Sequence, residues 1–114
     1  MADLCKFGGQ ILYRTNGSNI TDFYGKFLYI LDGDYIRNWS SRMIEYKFDG
    51  DRIKDFYGKI LYSFDGEYFK DFYGRILYTY RNGNISKFAS VIEYQVKGPA
   101  TRREVATFIL LFIV

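Results

Sequence analysis

Histidine is missing from this chain of 114 residues, and cysteine, proline and tryptophan each occur once. The absence of histidine excludes Ser-His and Cys-His nucleophile pairs, histidine-ligated metal sites and the most common general base. Cys5 stands alone, so it forms no internal disulfide, and a zinc site would lack its usual ligands. We therefore expect a protein that is not an enzyme and that holds no cofactor and no metal.

An excess of charge of one sign is also missing. Sixteen basic and thirteen acidic residues leave a net charge of +3, which is too small to indicate nucleic-acid binding by itself. Residues 1–7 contain no apolar signal region, and the apolar run 105–114 falls far short of the about 20 residues that a spanning helix needs. We expect a cytoplasmic monomer with one domain, 1–114, and no transmembrane span.

Aromatic residues, by contrast, make up 21% of the chain and follow a tandem repeat of 16 residues. The clearest copy, Gly58–Tyr73, reads GKILYSFDGEYFKDFY, and we number positions by their offset from its first glycine. Offsets two and eleven are aliphatic or Phe, and offset four is always tyrosine. These tyrosines are Tyr13, Tyr29, Tyr46, Tyr62, Tyr78 and Tyr94. Such a period indicates small units that each bury an apolar face against their neighbours.

Each unit has the pattern of a β-hairpin. Alternating Ile, Tyr and Phe are typical of strands, and Asp-Gly or Asn-Gly near offsets seven and eight tolerates the positive φ of a tight turn. Residues 4–7 match the second half of a unit and residues 90–98 the first half, so the repeats 4–98 supply about twelve strands. We predict an all-β fold, a closed antiparallel meander barrel, because closure removes the exposed sheet edges.

The composition changes after Pro99. Residues Thr101 to Glu104 have the form of a capping box, and the ten residues that follow are apolar on all sides apart from Thr107. A helix of this kind must be buried by protein or lipid. We predict that a C-terminal helix, 101–114, fills the barrel lumen; a membrane tail and a partner-binding helix are the alternatives. The side chains expected in the lumen are Phe108, Ile109, Leu111 and Phe112.

Tandem hairpins of the form seen at Gly58–Tyr73 resemble the bacterial β-flower proteins, small barrels of petal-like hairpins. Twelve strands around a hydrophobic C-terminal helix are also similar to the tubby C-terminal and scramblase-like barrels. The resemblance covers residues 4–114 and rests on the repeat and the layout. It implies the barrel fold and, for the tubby-like proteins, work at phosphoinositide membranes, and it implies no particular functional residue.

Two sets of residues are candidates for ligand binding. The first set is basic and occupies offsets one and twelve, where it forms a positive ring for phosphate groups if both offsets reach one rim. Its members are Lys26, Arg37, Lys54, Lys59, Lys70 and Arg75. The alternative is that these are solvated charges that pair with Asp55 and Asp71.

The second set is an aromatic belt at offset fourteen. It comprises Phe7, Phe23, Trp39, Phe56, Phe72 and Phe88. A two-residue turn pairs offset four with eleven and offset one with fourteen, which leaves the belt outside. We expect a β-bulge near offsets twelve and thirteen to turn the rings inward and to expose the aspartates. Without it, Trp39, Phe56 and Phe72 belong to an exposed patch, which usually marks a partner, ligand or membrane surface.

The repeated aspartates at offsets seven and thirteen are expected to serve turns or to pair with lysines rather than to catalyse a reaction. The function that fits best is a non-enzymatic structural or interaction module. It would bind a protein or an anionic membrane lipid through the aromatic belt or the basic ring. The alternative is carbohydrate or cell-wall binding through exposed aromatic rings, and an enzyme ranks third.

Overall fold

A computed structural model, which describes residues 1–87 and 90–114, shows a closed antiparallel barrel of twelve strands. The strands are β1 (Ala2–Lys6), β2 (Ile11–Thr15), β3 (Asn19–Asp22), β4 (Phe27–Asp32), β5 (Tyr35–Asn38), β6 (Ile44–Asp49), β7 (Arg52–Asp55), β8 (Ile60–Phe64), β9 (Tyr68–Asp71), β10 (Ile76–Arg81), β11 (Asn84–Lys87) and β12 (Ile92–Lys97). Neighbours in sequence pair with each other, and β1 closes the barrel by pairing with β12, where Leu4 lies opposite Val96. The predicted closed meander is confirmed.

The turn of the hairpin β6–β7 lies one residue later than the sequence pattern predicts. Asp49 pairs with Arg52, so that Gly50-Asp51 is the turn. Gly50 has a φ of 61°, as the first central position of a type II′ turn requires. Consequently the predicted pairing of offset four with offset eleven is wrong: Tyr46 lies opposite Asp55, at offset thirteen. Offset fourteen then falls beyond the end of the strand.

A β-bulge recurs in the units, but it lies on the first strand of each unit and not near offsets twelve and thirteen as predicted. Between β7 and β8, Ile53 lies opposite Tyr62 and Lys54 opposite Ile60, which leaves Leu61 unpaired. The same shift occurs at offset three of the other units. The bulged residues are Leu12, Leu28, Glu45, Leu61, Leu77 and Glu93. Because the extra residue breaks the alternation of faces, offsets two and four lie on opposite sides of the wall.

The core lies inside the barrel and is built mainly from offset eleven. The residues at this offset are completely buried: Leu4, Ile20, Ile36, Ile53, Phe69 and Ile85. The tyrosines at offset four are half-buried and pack against the same core. Offset two lies on the outer side, where Phe27 is 40% exposed.

The C-terminal helix packs against the inner side chains of the barrel, as predicted. Its α-helical part, α1 (Arg102–Phe108), continues as a π-helical turn (Ile109–Ile113). The capping box is formed: the Thr101 hydroxyl accepts the amide of Glu104 at 3.2 Å, and the Glu104 carboxylate accepts the amide of Thr101 at 3.0 Å. Phe108 and Ile109 are completely buried, while Leu111 and Phe112 are half-buried. Within residues 1–87 and 90–114, no helix has the length and hydrophobicity needed to cross a membrane.

The two ends of the barrel differ. At the hairpin end, which carries the turns within the units, the N-terminus of α1 is anchored by ion pairs of Arg102 with Asp51 and of Arg103 with Asp34. At the loop end, which carries the connections between units, the π-helical turn emerges and Phe112 contacts Tyr13. The helix therefore runs through the lumen from the hairpin end to the loop end.

Candidate functional site

Three loops of the same design stand at the loop end. Residues 22–26, 55–59 and 71–75 each read Asp-Phe-Tyr-Gly followed by Lys or Arg, and we call them the aromatic loops. In the second of them, the Asp55 amide donates to the carbonyl of Lys59 at 2.9 Å, and the Gly58 amide donates to the carbonyl of Asp55 at 3.1 Å. The other two loops contain the same pair of bonds. Gly58 has a φ of 85°, a conformation that glycine adopts without strain.

The aspartate that opens each aromatic loop organises the backbone. Oδ1 of Asp55 accepts the amides of Tyr57 and Lys59, both at 2.9 Å, and the first and third loops repeat this arrangement. Burial raises the pKa of Asp71, but hydrogen bonds and the charge of Arg75 outweigh burial and hold that pKa below its ordinary value. These aspartates therefore serve the loops and present the following side chains in the same way three times.

The phenylalanines of the aromatic belt are exposed. Phe7, Phe23, Phe56 and Phe72 have between 52% and 61% of their surface accessible. The prediction that a bulge turns the belt inward is therefore wrong. The bulge lies on the neighbouring strand, and offset fourteen follows the end of its own strand, so no pairing directs these rings toward the core. Phe88 lies outside the described residues.

Among the rings of residues 1–87 and 90–114, the most exposed belong to the tyrosines at offset fifteen, which the sequence analysis missed. Tyr24, Tyr57 and Tyr73 are between 83% and 90% exposed. Each of them meets the preceding Phe edge to face, with ring centroids 5.3 to 5.4 Å apart. The signal in the sequence was the threefold recurrence of Asp-Phe-Tyr-Gly, because a tight loop alone requires the aspartate and the glycine but not the two rings.

Trp39 belongs to a loop of different design, residues 38–43. Its ring stacks on Phe27 with centroids 4.5 Å apart, and the Arg42 guanidinium lies 4.3 Å from its centroid. Arg42 takes a φ of 64° at the position where the aromatic loops carry glycine. Since its neighbours cover it, Trp39 is half-buried and offers less surface than the rings of the aromatic loops.

The structure divides the six candidate cations into two groups. Lys26, Lys59 and Arg75, at offset one, are exposed and end the aromatic loops. Those at offset twelve have other contacts, which are Arg37 with Asp32 at 3.0 Å, Lys54 with Asp49 at 2.8 Å and Lys70 with the Tyr68 ring at 6.0 Å. The predicted ion pair with Asp71 is formed by Arg75, with 2.8 Å between Nε and Oδ2. Lys54 pairs with the turn residue Asp49 and not with Asp55. Of the six candidates, only the three at offset one belong to the aromatic loops.

The lumen opens between these loops. Phe112 stacks on Tyr13 with ring centroids 3.6 Å apart, and beside this pair lies a cleft of about 360 Å³. The cleft runs from Tyr13 and Tyr94 at the mouth to Phe23 and Tyr24 of the first aromatic loop. The loop end thus combines exposed Phe-Tyr pairs, unburied cations and a recess next to the helix end. Comparison with known proteins finds no matching family model, no similar curated protein and no similar solved structure.

Proposed function

We propose that this protein is a non-enzymatic binding module that docks its loop end on an anionic membrane surface. The observation that carries the proposal is the threefold aromatic loop, which places an exposed Phe, an exposed Tyr and a cation side by side at three positions of one rim. Exposed apolar side chains of this number are unusual on a protein that has no partner. The resemblance to tubby-like barrels, which implies work at phosphoinositide membranes, supports this function.

The chemistry of the loops suits the boundary between lipid head groups and acyl chains. Phenylalanine contributes apolar area, while tyrosine has an apolar ring and a polar hydroxyl that remains hydrated at the interface. Lys26, Lys59 and Arg75 add attraction to anionic head groups, at about 1 kcal/mol for each cation near the surface. Rings and cations therefore favour the same orientation of the barrel.

The shape of the molecule also suits a planar surface. Its principal extents are 36 × 35 × 19 Å, and strands of four to six residues rise about 13 to 20 Å, so the short dimension follows the barrel axis. The loop end is consequently one of two broad faces. Several loops on such a face can reach a flat membrane together, which adds their individually weak contributions.

Flotation of the protein with vesicles tests the proposal. We expect binding to phosphatidylcholine vesicles that contain phosphatidylserine, and weaker binding as salt is raised. The variant Lys26→Gln/Lys59→Gln should bind about thirtyfold more weakly, since two cations contribute about 2 kcal/mol. Arg52→Gln/Arg81→Gln, which removes the same charge from two residues that flank turns at the hairpin end, is the matched control.

A triple Tyr24→Ser, Tyr57→Ser, Tyr73→Ser variant separates the aromatic contribution from the charge. These side chains are almost fully exposed, so their replacement should leave the unfolding curve unchanged and still weaken vesicle binding. Absence of flotation at low salt, or equal binding of the triple variant and the unchanged protein, would contradict membrane docking.

Carbohydrate binding is the second candidate, and the cleft of about 360 Å³ beside the first aromatic loop favours it. Phe23 and Tyr24 offer ring faces, and Gln10 and Asp22 offer polar atoms at the same recess. Binding to a glycan array that Phe23→Ala abolishes, without any vesicle binding, would select this function in place of membrane docking.

A further inference from the structure

A groove of about 400 Å³ lies on the outer wall of the barrel, over the hairpin β10–β11. Ile85 in β11 is completely buried in the core, so its neighbours Asn84 and Ser86 point to the outside. Ser86 lies opposite Thr79 of β10 and opposite Ile92 of β12. The groove therefore follows a row of outward side chains across neighbouring strands. None of the described residues that line it belongs to an aromatic loop.

The groove exists because both members of one cross-strand pair, Thr79 and Ser86, are small. The equivalent pair in each of the other four hairpins contains a lysine or an arginine. These pairs are Arg14 with Thr21, Ile30 with Arg37, Lys47 with Lys54 and Ser63 with Lys70. The aliphatic stem of such a side chain covers the wall on which it lies. Its absence from the hairpin β10–β11 leaves a recess there.

The lining of the groove is polar, and its charge is compensated. Among the described residues that line it, Arg81 is the one with a charge. Its Nε pairs with Glu67, and its Nη2 donates to the Tyr68 hydroxyl at 2.8 Å. The other polar groups are neutral amides and hydroxyls, which belong to Thr79, Asn82, Asn84, Ser86 and Ser90. The groove thus offers hydrogen-bond donors and acceptors without an unpaired charge.

Apolar surface flanks these polar groups. Tyr68 lies opposite Thr79 on one side of the floor, and Ile92, which is 36% exposed, lies opposite Ser86 on the other side. Tyrosine, serine and asparagine are enriched at binding surfaces, because the ring supplies rigid contact area and the small polar groups supply adaptable hydrogen bonds. The groove combines both kinds of contact.

We propose that this groove binds a neutral carbohydrate, at a site separate from the loop end. A sugar ring carries several hydroxyls, which both donate and accept hydrogen bonds, and the amides of Asn82 and Asn84 do the same. Its C–H faces pack against Tyr68 and Ile92. A recess of this volume with a few convergent polar groups is typical of small-ligand sites. When the loop end docks on a membrane, the outer wall remains in water and the groove stays accessible.

An anionic ligand fits the groove less well. Because Arg81 is already paired with Glu67, a phosphate or carboxylate would have to displace that acid or remain without a cationic partner, and both outcomes cost free energy. A neutral sugar leaves the ion pair intact.

An array of neutral and sialylated glycans, probed with the full chain, tests the proposal. We expect neutral glycans to bind. Ser86→Lys, which fills the groove with the side chain that the repeat carries at Lys54 and Lys70, should weaken this binding about tenfold or more. Thr21→Lys, the same substitution at the equivalent position of the first hairpin, is the matched control and should leave glycan binding unchanged.

A second variant removes one hydrogen-bonding group without filling the groove. Asn82 and Gly83 have φ angles of 52° and 79°, as a type I′ turn requires, and glycine adopts such angles without strain. Asn82→Gly should therefore leave the unfolding curve unchanged and weaken glycan binding about three- to tenfold, the loss expected for one hydrogen bond. When the neutral glycan that binds best on the array is added, the NMR signals of the Asn82 and Asn84 side-chain amides should shift.

The groove and the loop end are tested apart. The triple Tyr24→Ser, Tyr57→Ser, Tyr73→Ser variant should retain glycan binding even if it no longer binds vesicles. If Phe23→Ala abolishes glycan binding and Ser86→Lys does not, the sugar binds in the cleft at the loop end and the proposal is wrong. Absence of binding to the array, binding of sialylated glycans alone, or equal binding of Ser86→Lys and the unchanged protein would also overturn it.

Discussion

At the scale of single residues, side-chain oxygens that accept backbone amides decide the shape of the turns. Asp65 opens the turn of the hairpin β8–β9, and its Oδ1 accepts the amides of Glu67 and Tyr68, both at 2.8 Å. The bond from Tyr68 is the main reason that the pKa of Asp65 lies below its ordinary value. Asn16 makes the same two bonds in the first hairpin, at 2.9 and 2.7 Å, without an ionisable group.

Because Asp65 ionises and Asn16 does not, we expect Asp65 to make the unfolding free energy depend on pH, and Asp65→Asn to reduce this dependence. Because the pKa of Asp65 is lower in the folded state, its contribution to stability is present above its unfolded pKa of about 4 and is lost as the pH falls through the folded pKa. Asp65→Asn keeps the hydrogen bonds, so the difference in unfolding free energy between neutral and acidic pH should become smaller. Urea denaturation across this pH range measures it.

The reciprocal substitution is the control for that experiment. Asn16→Asp introduces an ionisable oxygen into the same geometry, so it should make the unfolding free energy more sensitive to acid. If both variants follow the pH profile of the unchanged protein, the hydrogen bonds from the backbone amides of this turn do not favour the ionised carboxylate.

At the scale of elements, the C-terminal helix supplies the centre of the core. Phe108 is completely buried and belongs to the same cluster as Ile53 and Phe69 of the barrel wall. The ion pairs at its N-terminus are about half exposed and contribute at most about 1 kcal/mol each. Packing, and not charge, therefore holds the helix in the lumen.

Removal of this packing should unfold the barrel. Phe108→Ala leaves a cavity and should lower the unfolding free energy by about 3 to 5 kcal/mol, a large part of the about 5 to 15 kcal/mol that stabilises a domain. Deletion of residues 102–114 should abolish cooperative unfolding, as calorimetry would show. Arg102→Gln, which affects an exposed ion pair of the same helix, should change stability by less than about 1 kcal/mol. A deletion variant that stays monomeric and unfolds cooperatively would show that the helix does not support the barrel.

At the scale of the whole molecule, closure depends on the first strand. β1 lies between β2 and β12, and Leu4 in it is completely buried, whereas Phe7 lies beyond the strand and is 59% exposed. Without β1, the edges of β2 and β12 would both be unpaired. Exposed edges of this kind favour association between molecules.

Substitutions at Leu4 and Phe7 should therefore have different effects on folding and association. Leu4→Asp places a charge in the core and should unfold the barrel or lead to soluble aggregates in size-exclusion chromatography. The match of Phe7 to the repeat suggests a structural role, but its ring makes no contact with the core. Phe7→Asp should therefore leave both the elution volume and the unfolding curve unchanged. Elution of Leu4→Asp as a stable monomer would show that β1 is dispensable for closure.

The period and the turn residues were sufficient to predict the hairpins, the number of strands, closure and the apolar helix in the lumen. Each of these follows from local chemistry repeated at a constant interval: Asp-Gly or Asn-Gly for turns, alternating Ile and Tyr for strands and a capping box for the helix. Errors of one residue do not alter these features, since every unit repeats the same signal.

The tertiary structure alone decided which side chains meet at the loop end. A turn displaced by one residue and a bulge of one residue determine which face of the wall each position occupies. The sequence pattern does not predict the positions of turns and bulges to within one residue. The prediction that the aromatic belt around Phe56 faces inward was wrong for this reason. The stack of Phe112 on Tyr13 lay further beyond the reach of that pattern. It brings the end of the helix to a tyrosine of the first hairpin, and only the closed barrel with the helix inside it determines that contact.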